Sequence, residues 1–117
     1  MPVTVADVRE IARGLERSYE VTVRGRIKFR VGQIVYLAFS RDETLMGFAF
    51  PKEERDALVG TWPDKYQLPE EGDMRFHWAV VRLDAIDRDE LRELVIDAWA
   101  MVVPKFLSRP YRVGDDG

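Results

Sequence analysis

Four basic residues fall at every second position of one segment: Arg24, Arg26, Lys28 and Arg30. If the segment is a regular strand, alternate side chains leave the same face of a sheet, ~6.6 Å apart. That is close to the phosphate spacing along an extended single strand. No acidic residue occurs between Val21 and Arg41. Such a row suits electrostatic contact with a phosphate backbone, whose affinity falls steeply with salt. Gly25 interrupts the row between its first two members. The alternative is a solvated face with its charges paired across the sheet, as charge runs usually are. Lys105, Arg109 and Arg112 form a secondary basic cluster near the C-terminus.

Bond-making chemistry has fewer candidates. His77 is the one histidine, and Ser18, Ser40 and Ser108 are the serines, none in a nucleophile elbow. A Ser–His–Asp site would have to use His77, which sits between Phe76 and Trp78; a sheet-face or core histidine is the simpler reading. The absence of cysteine excludes disulfides, thiolate metal sites and thiol catalysis. One histidine with scattered carboxylates gives no metal-ligand spacing, and no glycine pattern matches a phosphate loop. Glu70, Glu71 and Asp73 are read as loop-solvating residues. No metal, no cofactor and no enzymatic reaction are expected. Trp62, Trp78 and Trp99 could stack on bases, but the spacing of Trp78 and Trp99 suits a core. Trp62 and Tyr66 are left as the exposed loop aromatics.

The elements that must position these residues follow from periodicity. Thr4 and Asp7 have capping-box spacing. Val5, Val8, Ile11, Ala12 and Leu15 then share one helical face, predicting a helix from Thr4 to about Arg17. Ile27–Val31 and Ile34–Phe39 read as a hairpin about Gly32-Gln33, a Gly-X pair suited to a type II′ turn. Pairing Val31 with Ile34 in a regular register puts Phe29 and Ile27 on one face with Tyr36 and Ala38. It puts Val35, Leu37 and Phe39 on the basic face, a mixed surface that is either covered or faces a partner. Leu45–Phe50 is a further strand, Pro51–Val59 a short helix ended by Gly60, and residues 61–73 one long loop. Met74–Leu83 is a strand. Asp87 and Glu90 cap a last helix whose stripe is Leu91, Leu94, Val95, Ala98 and Val102, stopped by Pro104. An extra strand is expected at Glu20–Val23 or within the long loop.

A chain of 117 residues falls within the usual size of one domain and buries roughly two-thirds of its unfolded surface. With 46% hydrophobic and 33% charged residues the balance is globular, not disordered. Residues 1–7 show no secretory signal and no stretch is apolar enough to span a membrane, so a cytoplasmic location without membrane contact is expected. The net charge of −3 argues mildly against nucleic acid, although its distribution matters more. Asp84, Asp87, Asp89, Glu90, Glu93 and Asp97 concentrate much of the acidity in and just before the last helix. The predicted fold is α+β: a two-layer domain, an antiparallel sheet with helices on one face. One domain spans residues 1–107, and 108–117 are a loose tail.

Three segments carry a resemblance: Gly47–Leu58 (GFAFPKEERDAL), His77–Leu83 (HWAVVRL) and Ala98–Lys105 (AWAMVVPK). Together they resemble the MmcQ/YjbR-like family of small bacterial proteins, over roughly residues 12–107. The resemblance implies an α-β(3)-α-β(2)-α fold like that of secretion-chaperone domains. It also implies a DNA-binding role of the "double wing" description, without a motif of contact residues. Two functions are therefore expected. The first is DNA binding through Arg24, Arg26, Lys28 and Arg30, with Lys105 and Arg109. The alternative is a protein-interaction or chaperone-like module, as a homodimer through the mixed face, which a charge at Leu37 or Phe39 would disrupt.

Overall fold

The computed structural model describes residues 2–111. Thr4 caps helix α1 (Val5–Ala12) through the expected box: its backbone N–H donates to Asp7 Oδ2 at 2.9 Å. The helix stops short of Arg17. Gly14 is a weak helix former, and the chain turns through Arg17, which has a positive φ of 69°, into strand β1 (Ser18–Val23). The extra strand is therefore real and longer than expected. Strand β2 (Arg26–Val31) follows a two-residue turn. Arg24 and Gly25 both have positive φ there, 54° and 80°, as a type I′ turn requires. Gly32 reverses the chain again into β3 (Ile34–Phe39), with Val31 opposite Ile34 as the sequence predicts.

Beyond that turn the register departs from expectation. Arg30 pairs with Val35, but Phe29 pairs with Leu37 and Lys28 with Ala38, so Tyr36 is one extra residue in β3. A bulge of this kind moves every later side chain to the other face. Leu37 and Phe39 thus enter the core beside Phe29, fully buried, and Ala38 joins the basic face. Burying a large apolar side chain stabilises by ~1.5–3 kcal/mol, and the bulge secures that for two of them. The expectation that Leu37 and Phe39 lie on the basic face is overturned, and with it their use as a dimer contact.

Strand β4 (Leu45–Ala49) leads into helix α2 (Lys52–Thr61), which runs through Gly60 and one residue beyond it. The long loop holds a two-residue strand, β5 (Tyr66–Gln67), and a 3₁₀ turn at Glu71–Asp73. Strand β6 (Trp78–Arg82) is shorter than the predicted Met74–Leu83. Helix α3 (Arg88–Ala100) starts at Asp87, whose side chain accepts from the Glu90 N–H at 2.9 Å. The Glu90 carboxylate does not return to the cap. It takes the Tyr66 hydroxyl at 2.6 Å and the Lys65 ammonium at 3.1 Å. A short α4 (Lys105–Ser108) and a 3₁₀ turn over Arg109–Tyr111 complete the described chain. Residues 108–111 are thus not a loose tail: Ser108 is buried and Tyr111 packs edge-on against Trp99 at 5.2 Å. Residues 112–117 lie outside the described residues.

The six strands form one antiparallel sheet in the order β1-β2-β3-β4-β6-β5. Helices α1 and α3 pack on each other, and α3 on β3 and β4, while α2 meets β5 and β6. The core between α1, α3 and the sheet is built from Val8, Leu91, Val95 and Trp99 on the helices and Leu37, Phe39, Met46, Phe48 and Val81 on the strands. This is the predicted α+β architecture, with one strand more in the first block than the resemblance implies.

Two buried tyrosines make the fold sensitive to alkali. Burial pushes the Tyr36 phenol up to about 12, against the opposing hydrogen bond with Ser18. Burial, followed by the Glu90 carboxylate, also raises Tyr66. The native state thus favours the protonated phenols. Their stabilisation is complete below the ordinary value of about 10 and is lost as pH rises through the raised values. Urea midpoints should be level up to about pH 10 and fall above it. Four tyrosines ionising together near pH 10 in the folded protein would contradict this.

Candidate functional site

The face of the sheet turned away from α1 and α3 is open. Pairing places Val21, Lys28, Ala38, Gly47, Val80 and Gln67 in one row across it, from β1 to β5. The middle of that row has almost no side-chain height, and a cleft of about 680 Å³ lies over it. Arg26 and Lys28 line one side. The loop from Leu68 to His77 lines the other, with Glu70 and Asp73 as its carboxylates.

Trp78 is the chief feature of the floor. It pairs with Ala49, and the Nε1–Cε2–Cζ2 edge of its indole reaches Gly47. A Cβ at Gly47 would stand 2.5 Å from Trp78 Nε1 and 2.7 Å from Cε2 and Cζ2. Contacts that short do not occur, so the edge of the ring can sit there only because residue 47 has no side chain. Gly47 in a strand interior therefore marks a close approach. Sequence reading assigned Trp78 to the core because it alternates with Phe76 and Val80. Trp78 is partly buried and packs against the core, and with Phe76 and Val80 it also lines the open cleft. Tyr66, expected to be exposed, is buried edge-on to Phe48, whereas Trp62 is exposed with the Lys65 ammonium 5.1 Å over its ring.

The basic residues divide. Arg24 sits in the β1–β2 turn with φ 54°, so it is not part of a four-residue strand row. Arg26 donates from Nε to the Phe39 carbonyl at 3.1 Å and, with Lys28, lines the cleft. Arg30 lies on the same face, opposite Tyr19 and Val35, with its Nε buried and without an acceptor. Among the described residues, the lysine and arginine pairs with carboxylates are Arg9–Glu20, Lys65–Glu90 and Arg88 with Asp7 and Glu10. None involves Arg24, Arg26, Lys28 or Arg30. The charge-paired reading of the row is therefore not what the structure contains. Lys105 and Arg109, on α4 and the turn after it, do not line the cleft. Arg112 lies outside the described residues.

The far wall is held by a residue that sequence reading passed over. Arg55 of α2 is only 5% exposed. Its Nη1 donates to the carbonyls of Phe76 (3.1 Å) and Trp78 (2.9 Å), and its Nη2 to that of Met74 (2.8 Å). The planar fork of a guanidinium suits several acceptors at once. These carbonyls lie in the segment expected to be regular strand, which explains why β6 begins only at Trp78. His77 accepts the Lys52 N–H on Nδ1 at 3.0 Å, supplying the α2 N-terminus with an acceptor that Pro51 lacks. Ser18, Ser40 and Ser108 bond elsewhere, to Tyr36, Asp42 and the Lys105 carbonyl. Among the described residues no three His, Asp or Glu side chains are grouped as metal ligands, and no helix is long and apolar enough to cross a membrane.

Comparison with known proteins agrees with this architecture. The model of the YjbR family matches residues 13–101. The crystal structure of Deinococcus radiodurans protein DR2400, with its DUF419 domain, is similar at a TM-score of 0.75 and 21% identity. The match covers 92% of this chain and 86% of that one. No curated protein matches the sequence.

Proposed function

The chain belongs to the YjbR family, and from that premise we propose that it binds nucleic acid across the open face of its sheet, with β2 as the phosphate-contacting strand. The observation that carries this reading is the set of unpaired cations on β2. Arg26, Lys28 and Arg30 share the open face and meet no carboxylate among the described residues, while the acidic helix α3 packs on the other side of the sheet. The protein is acidic as a whole and basic on this one strand. Phosphate contacts are the main source of affinity for such a surface, and each releases counterions.

Two or three such contacts set the size of the effect. Raising salt from ~50 to ~200 mM should weaken binding to a dye-labelled oligonucleotide by roughly tenfold. Joint Arg26→Ala and Lys28→Ala substitution should lower the affinity and flatten the slope of log K against log salt by about two contacts. Fluorescence anisotropy measures both. Absence of binding at low salt, or a double variant with the parent's affinity and slope, would rule the reading out.

A further inference from the structure

We infer that the cleft beside β2 takes an unpaired base, stacked on Trp78, so that the ligand is a single strand rather than a duplex. This rests on the nucleic-acid reading above and adds what that reading leaves open, the class of nucleic acid. A row of cations alone does not choose between the two, since both present phosphates.

Three observations point to a base. The first is the Trp78 ring, whose Nε1–Cε2–Cζ2 edge is seated against Gly47 and which lines the cleft. An indole seated by its edge in this way has a fixed position, and its half-buried ring lines the cleft, where a base can meet it. Stacking on such a ring tolerates any base, because each has a flat π face. In a duplex those faces are covered by neighbouring pairs, so only an unpaired or extruded base can use one.

The second is distance. Lys28 and Gly47 stand in one row, separated only by Ala38 on β3. Two strand intervals put them roughly 10 Å apart. The intervening residue is an alanine, so nothing rises between cation and ring. A nucleotide whose phosphate meets Lys28 or Arg26 can therefore set its base over Trp78.

The third is polarity across the cleft. Arg26 and Lys28 stand on one side, Glu70 and Asp73 on the other. Carboxylates repel phosphates and accept hydrogen bonds from base amino groups. The charges thus assign the backbone to the β2 side and the base edge to the loop side. Exposed Leu68 and Phe76 add apolar surface at that edge.

The test compares three oligonucleotides of one length by anisotropy at low salt: a cytosine-rich single strand, its duplex, and a single strand with abasic sites in its centre. The single strand should bind at least tenfold more tightly than the abasic strand, and more tightly than the duplex after allowing for charge density. Trp78→Ala should bring the natural strand down to the abasic level, and Trp78→Phe, which keeps a ring, should restore part of the loss. Gly47→Ala, which forces the indole off its seat, should act like Trp78→Ala without removing the ring. Circular dichroism confirms that each variant folds. Equal binding of natural and abasic strands, or an unchanged Trp78→Ala protein, would overturn the stacking inference while leaving phosphate binding in place. Failure of all three oligonucleotides to bind would instead remove the functional reading itself. Sedimentation as a dimer that Lys28→Glu and Val80→Glu dissociate would show a second copy on this face, and would overturn both.

Discussion

Replacing Arg55 by alanine is expected to destabilise the protein by about 3–5 kcal/mol. The guanidinium is nearly inaccessible and holds three carbonyls, those of Met74, Phe76 and Trp78. Each hydrogen bond to a charged donor contributes about 1.5–3 kcal/mol when it can be measured alone. The three share one side chain, so they do not simply add. Alanine leaves the carbonyls without this donor, and those of Met74 and Phe76 lie outside any strand. A typical domain has only about 5–15 kcal/mol in hand, so the melting temperature should fall by on the order of 15 °C. Lysine offers one point charge in place of a planar fork and should recover little. Methionine removes the cost of burying a charge yet still leaves the carbonyls unmet. If Arg55→Met melted with the parent, the guanidinium would not be what holds the wall. Loss of the wall should also weaken any ligand of the cleft, since Phe76 and His77 lie within it.

Trp99→Ala is the second large loss, again about 3–5 kcal/mol. The indole is wholly buried, donates Nε1–H to the Glu16 carbonyl at 2.9 Å and packs edge-on to Tyr111. Alanine empties that volume and leaves a carbonyl unsatisfied. Trp99→Phe keeps most of the bulk but not the hydrogen bond, and should cost about 1–2 kcal/mol beyond the change in volume. Urea unfolding of the two variants separates packing from polarity. Equal stability of Trp99→Phe and parent would mean that the Glu16 carbonyl is served by water.

The sequence was readable wherever a local rule decided the outcome. The Thr4–Asp7 box, the Gly32 turn and the apolar stripe of α3 depend on neighbours within a few residues, and all three appear. It was not readable where tertiary contacts decided. Tyr36 looks like any strand residue, and only the gain from burying Leu37 and Phe39 explains the bulge there. Arg55 stands in the run Lys-Glu-Glu-Arg-Asp, which suggests a solvated helix face, and nothing in that run records three carbonyls opposite it. The site was half legible for the same reason. Alternation identified Arg26, Lys28 and Arg30, and it included Arg24 because a type I′ turn with arginine at its first central position is unusual. It missed Trp78, although Gly47 within a strand was a signal that something lies close against the backbone.

The hydrogen bond from Trp99 to Glu16 joins residues 83 positions apart in the chain. Strands β1 to β4, by contrast, are neighbours in sequence and in the sheet, linked by short turns. This divides the order in which the molecule can come together. The meander, with all of the β2 cations on it, needs only short loop closures, whose entropy cost is small. The helical layer waits on β6 pairing with β4 and on α3 reaching back to the segment after α1. The basic strand therefore belongs to the low contact-order half of the fold and Trp99 to the half that closes late.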